Sequence, residues 1–198
     1  MKSFLYILFG LVLLAHPRFT HAAANKHLFD DGDTTSRKVK AKPGLVFPVP
    51  AVASKLFYIQ RDPNTNTIIY DLNTDGKGNL DPENPVHPYW IKYNERGQKE
   101  ELNFIQRKFA YGVVAKPLDN GKFDIRFAAY KKYALELMRS PADNQYHIYA
   151  TIAKKQAILN KIYIKIEGGT FWVPNVVYVE VKGTDPTTGK EIMERFKP

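Results

Sequence analysis

Hydrophobic and polar residues alternate along most of this chain. Phe123, Ile125 and Phe127 are interleaved with Asp124 and Arg126, and Tyr133, Leu135 and Leu137 share a phase that excludes Glu136. Tyr146, Ile148, Ala150 and Ile152 fall on one face of the next run. Ile158, Ile162, Ile164 and Ile166 do so again, opposite Lys161, Tyr163 and Lys165, and Val177, Val179 and Val181 follow a turn at Gly168-Gly169. A period of two buries one face and wets the other, which is the pattern of half-buried β-strands. Upstream, residues 56–61 and 67–70 flank Asp62-Pro63-Asn64-Thr65-Asn66 and predict a hairpin. Residues 89–93 predict a third strand, and residues 192–196 a last one.

One segment follows a different period. Leu102, Ile105 and Phe109 lie at i, i+3 and i+7, which predicts a helix over residues 99–109. Glu100 and Glu101 fall in its first turn and Arg107 and Lys108 in its last, as the helix dipole favours. Short strands at close spacing with a single short helix give a mainly β fold. The expected architecture is an antiparallel meander closing as a β-barrel or sandwich, with the helix plugging or flanking it.

The N-terminus is organised differently. Lys2 precedes an apolar run over residues 4–15, and Ala22-Ala23-Ala24 follows a polar stretch, the pattern of a secretory signal peptide. As a helix the run covers about 18 Å, short of a hydrocarbon core of about 30 Å. The sequence therefore predicts cleavage after Ala22 or Ala24 and no transmembrane segment afterwards. Residues 1–22 are expected to be the signal peptide. Residues 23–53, interrupted by Lys42-Pro43-Gly44 and Phe47-Pro48-Val49-Pro50, are expected to be a flexible segment whose residues 45–52 lie along the domain. Residues 54–198 are expected to form a single β-rich domain. The expected location is extracytoplasmic, periplasmic or secreted.

Composition narrows the chemistry. The chain has no cysteine, which excludes disulfides, thiolate nucleophiles, zinc–thiolate sites and a lipid attached through cysteine. The formal charge is +9, but the basic residues are scattered or lie in the N-terminal segment, so nucleic acid is not an expected partner. No serine sits in a G-x-S-x-G elbow and no histidine in an H-E-x-x-H motif.

Two groups of residues invite a functional reading. Asp71, Asn73 and Asp75, followed by Gly76, open like a calcium loop, D-x-[DN]-x-[DN]-G. The twelfth position, where calcium takes a bidentate acid, is Pro82, so the expectation is no cofactor, with calcium as the alternative. Trp90, Arg107, Lys108, Tyr111 and Arg126 combine aromatic surface with cations and form the candidate ligand-binding set. Such a set suits an apolar or anionic small ligand in a barrel interior.

The strings Leu56-Phe57-Tyr58-Ile59-Gln60-Arg61, Pro88-Tyr89-Trp90-Ile91 and Ile105-Gln106-Arg107-Lys108-Phe109-Ala110-Tyr111-Gly112-Val113 carry a family resemblance. Over residues 56–182 the chain resembles the DUF4833 family, exported bacterial proteins whose domain has no assigned activity. The resemblance implies a single exported domain and transfers no catalytic residue. The expected function is that of a non-enzymatic exported β domain binding a small molecule, glycan or envelope partner. The alternative is a hydrolase of an envelope component or polymer, using carboxylates assembled by the fold.

Overall fold

The computed structural model describes residues 45–169 and 174–197. The expected signal peptide, and the flexible segment as far as residue 44, lie outside the described residues. The predicted alternation becomes eleven strands: β1 (Lys55–Arg61), β2 (Asn64–Leu72), β3 (Val86–Ile91), β4 (Lys99–Glu101), β5 (Val113–Pro117), β6 (Phe123–Phe127), β7 (Ala134–Arg139), β8 (Tyr146–Ile152), β9 (Lys155–Gly169), β10 (Pro174–Thr184) and β11 (Glu191–Phe196). Among the described residues one α-helix, α1 (Phe104–Phe109), joins β4 to β5. The fold is mainly β, and its one sheet curls into a half-barrel.

Strand order runs β4-β3-β2-β1-β9-β8-β7-β6-β5, with β10 and β11 branching from the other edge of β9. Two antiparallel meanders, β1 to β4 and β5 to β8, thus form two wings on β9. The only parallel pairing in this sheet joins β1 to β9, with Tyr58 opposite Lys161 and Arg61 opposite Ile164. β4 and β5 are the two ends of the main strand order, and α1 connects them across the open side.

The core lies between the wings. Phe57 and Tyr70 stack with ring centroids 4.3 Å apart, and Phe127 meets both rings edge-on. Ile125, Leu137, Ile148, Ile152 and Leu159 complete a fully buried centre. Each such side chain contributes roughly 1.5–3 kcal/mol through removal from water. A smaller cluster of Tyr58, Ile69 and Tyr89 lies on the opposite face of β1 to β3. Residues 45–52 run along the domain. Gln60 Nε2 donates to the Pro48 carbonyl at 2.7 Å, Lys55 Nζ to the Pro50 carbonyl at 2.7 Å, and Phe47 packs edge-on to Tyr163.

The helix is shorter than the sequence predicts. Residues 99–101 pair with β3, and helical structure begins only at Phe104. The cause is Asn103. Its side chain accepts from the Gln106 amide at 2.9 Å while Gln106 Oε1 accepts from the Asn103 amide at 3.1 Å, a reciprocal cap that fixes the start. Leu102 is buried before the helix begins; Ile105 and Phe109 are exposed, and Gln106 is the only buried residue of α1. The expected apolar stripe therefore does not face the core.

The phase of β9 also differs. Ala157 and Leu159 point inward, then Ile162 and Ile164 do, so the alternation slips by one residue near Asn160. β10 shows the same slip, pairing Lys182 with Lys161 but Gly183 with Leu159. This is a β-bulge, an extra residue that reverses which face a strand buries. Ile158, expected inward with Ile162, consequently lies off the inner face.

Candidate functional site

Among the described residues two charged side chains are buried, Arg61 and Asp62, and Arg61 faces the interior. In β1, Phe57, Ile59 and Arg61 share the inward phase, and Arg61 is only 7 % exposed. Its Nε has no partner, and the guanidinium forms no ion pair with any described carboxylate. The adjacent carboxylate is turned away. Asp62 accepts from the Tyr163 hydroxyl at 3.0 Å and the Ile166 amide at 3.1 Å, and faces Lys165 at 3.4 Å.

Tyr111 stands beside Arg61. Burial pushes the Tyr111 hydroxyl up from its ordinary value, and the neighbouring Arg61 charge pulls part of the way back. The hydroxyl nevertheless has no hydrogen-bond partner among the described residues. Trp90, inward on β3, meets Tyr111 edge-on with centroids 5.1 Å apart, and its Nε1 is likewise unpartnered. Tyr111 is thus flanked by a guanidinium and an indole, and each of the three groups has an unmet donor.

Local sequence places Tyr111 there. The chain leaves α1 through Ala110 and turns so sharply that the Tyr111 amide donates to the Gln106 carbonyl at 2.8 Å. Gly112 permits the turn: a Cβ there would lie 1.9 Å from the Arg107 carbonyl oxygen, inside any real contact. The Tyr111 carbonyl is held from across the core by the Tyr70 hydroxyl at 2.8 Å. Tyr111 is therefore fixed by α1 through its amide and by β2 through its carbonyl.

The structure divides the five candidate ligand residues. Trp90 and Tyr111 come together in the interior. Arg107 is half exposed and faces Glu101 at 3.6 Å. Lys108 is exposed on α1, with its ammonium over the Phe104 and Phe109 rings. Arg126 points outward from β6, paired with Asp124 at 2.7 Å. Arg61 is absent from the sequence-derived set, although its phase with Phe57 and Ile59 marks it as inward. The three strings that carry the family resemblance each supply one member of the interior group: Arg61, Trp90 and Tyr111.

The loop after β2 is tied from within. Asp75 Oδ1 accepts from the amides of Lys77 at 2.8 Å and Asn79 at 2.9 Å, while its Oδ2 accepts from Asn79 Nδ2 at 3.0 Å. Asn73 Nδ2 donates to Asp81 Oδ2 and to the Asn84 carbonyl. Asp71 sits at the end of β2, paired across the sheet with His87. The loop's own amides thus fill the Asp75 oxygens, while Asn73 gives its amide nitrogen to Asp81 and Asn84. Among the described residues no three His, Cys, Asp or Glu side chains cluster as metal ligands.

Among the described residues no helix is long and apolar enough to cross a membrane. No curated protein and no solved structure matches the chain. A family model described as a domain of unknown function, DUF4833, matches residues 57–195, which reaches every strand of the half-barrel and includes all three interior residues. By that match the chain belongs to the DUF4833 family.

Proposed function

We propose that this protein is an exported, non-enzymatic β domain that binds a small oxyanion-bearing molecule inside the half-barrel. The observation that carries the reading is Arg61, a buried residue whose guanidinium has no carboxylate partner among the described residues. A guanidinium keeps its charge, and a buried charge costs several kcal/mol unless it is paired. A carboxylate or phosphate would supply that pairing and would accept two parallel hydrogen bonds from the planar fork. The Tyr111 hydroxyl and Trp90 Nε1 are further donors, and their rings offer apolar surface to the rest of the ligand. The donors suit capture, and among the described residues Arg61 and Trp90 bring no nucleophile or base to the Tyr111 hydroxyl, which favours binding over turnover.

Entry is by way of α1. It contributes one buried residue, Gln106, and it bridges the only gap in the main strand order. Segments with few buried contacts open at the lowest free energy.

Mass spectrometry of small molecules carried through native purification tests the proposal. An anionic compound should accompany the wild-type protein and be missing from Arg61→Gln. The same compound in equal amount on both proteins, or none on the wild type, would overturn the reading.

A further inference from the structure

A second polar surface lies on the outside of the sheet. Asp124 on β6, Glu136 on β7 and Tyr149 on β8 are successive cross-strand partners and form one row. Arg126 pairs with Ala134 in the next row, and Thr151 pairs with Gln156 on the strands beyond. Bulky side chains surround Ala134, so its small size leaves a depression. That depression is a cavity of about 250 Å³ lined by all of these residues.

Each carboxylate lining it has a cation partner, Asp124 within the depression and Glu136 from outside it. Like charges directly opposite on paired strands repel, yet Asp124 and Glu136 face each other. Asp124 Oδ1 takes Arg126 Nε at 2.7 Å, and Glu136 Oε1 takes Lys122 Nζ at 3.1 Å. Each carboxylate keeps its second oxygen without a partner among the described residues. The depression is thus lined by two carboxylate residues with acceptor capacity to spare, together with the hydroxyl of Thr151 and the amide of Gln156. Tyr149 is 4 % exposed and forms the floor.

We propose that this depression binds a neutral saccharide ring. A ligand with alternating hydroxyl donors and acceptors satisfies both kinds of group, whereas an anion would meet two carboxylates and an apolar molecule would desolvate them. The proposed event is binding without bond cleavage, because each carboxylate is already turned towards a cation, as an acceptor should be. The site is separate from Arg61: Ile125 and Leu135, between the outward residues, point into the core on the opposite face.

Amide chemical shifts of the whole chain, recorded with millimolar glucose, galactose, mannose or N-acetylglucosamine, test the site. At least one sugar should give saturable shifts confined to β6, β7, β8 and the start of β9. Glu136→Gln should weaken that binding about tenfold, the worth of one charge-assisted hydrogen bond. Ala134→Leu, which fills the depression from an exposed position, should abolish it. Arg61→Met should leave it unchanged, which separates this site from the interior one. No saturable shift with any of the four sugars, or undiminished binding by Ala134→Leu, would overturn the proposal.

Discussion

Replacing Arg61 with methionine should make the ligand-free protein more stable. Methionine keeps the unbranched stem that packs beside Phe57 and Ile59 and removes only the charged end. Arg61 is 7 % exposed as a residue, its Nε is buried without a partner, and no described carboxylate pairs with it. The effective cost of an isolated buried ion is several kcal/mol, and exchanging buried ions for apolar groups of similar volume has gained about 1–4 kcal/mol. Residual exposure and the Tyr111 hydroxyl offset part of that cost, so the expected gain is about 1–3 kcal/mol. For a domain of this size the melting temperature should rise by about 3–10 °C. The assay is urea unfolding of protein first denatured and dialysed to strip any ligand, then refolded. The midpoint should rise with an unchanged slope. Arg61→Lys, which retains a charge, should show no such gain. A loss of about 1 kcal/mol or more in Arg61→Met would refute the reasoning, because it would make the guanidinium a structural donor.

Three further outcomes follow from the geometry. Gly112→Ala should cost about 3 kcal/mol or more by urea unfolding, since backbone rather than a movable side chain blocks the new methyl group; a cost below about 1 kcal/mol would show that the turn relaxes freely. The Asp75 carboxyl lies below its ordinary value because the Asn79 side chain, then the Asn79 and Lys77 amides, donate to it. Its stabilisation is therefore complete above the unfolded value near 3.9 and lost as pH falls through the depressed folded value. The stability deficit of Asp75→Asn should accordingly shrink in acid, and a deficit independent of pH would contradict this. Calcium should leave the melting temperature unmoved, because both Asp75 oxygens are filled by amide donors; a saturable rise would show that the loop surrenders them.

Much of the fold is legible in the alternation, and the exceptions have local causes. β6, β7 and β8 bury the residues their period-two pattern selects, because uninterrupted pleating preserves phase. β9 departs at Asn160, where the bulge has no strong sequence mark: no glycine or proline stands there, and the slip is visible only against β10. Residues 99–109 mislead for a different reason. Glu100, Glu101, Arg107 and Lys108 fit a helix dipole, but the Asn103–Gln106 cap outweighs them and leaves residues 99–101 to pair with β3. The interior group was half legible. Trp90 and Tyr111 stand out as large aromatics, whereas a lone arginine at a strand end reads as surface unless the phase of Phe57 and Ile59 is carried through to it. Arg107, Lys108 and Arg126 have the right chemistry for a ligand, yet helix position and strand phase, rather than residue type, turn them outward.

The junction of β1 with β9 has a kinetic consequence. Each wing is a run of hairpins that can form early from neighbours in sequence. The contact that closes one wing on the other joins Tyr58 to Lys161 and Arg61 to Ile164, across a loop of about a hundred residues whose closure entropy must be met first. Folding should therefore be slow for the chain length and should end, rather than begin, with its first strand. Until β9 has been synthesised, β1 has no parallel partner and the aromatic stack of Phe57 and Tyr70 lacks half of its walls. A chain built in this way cannot close its core until most of it has been synthesised.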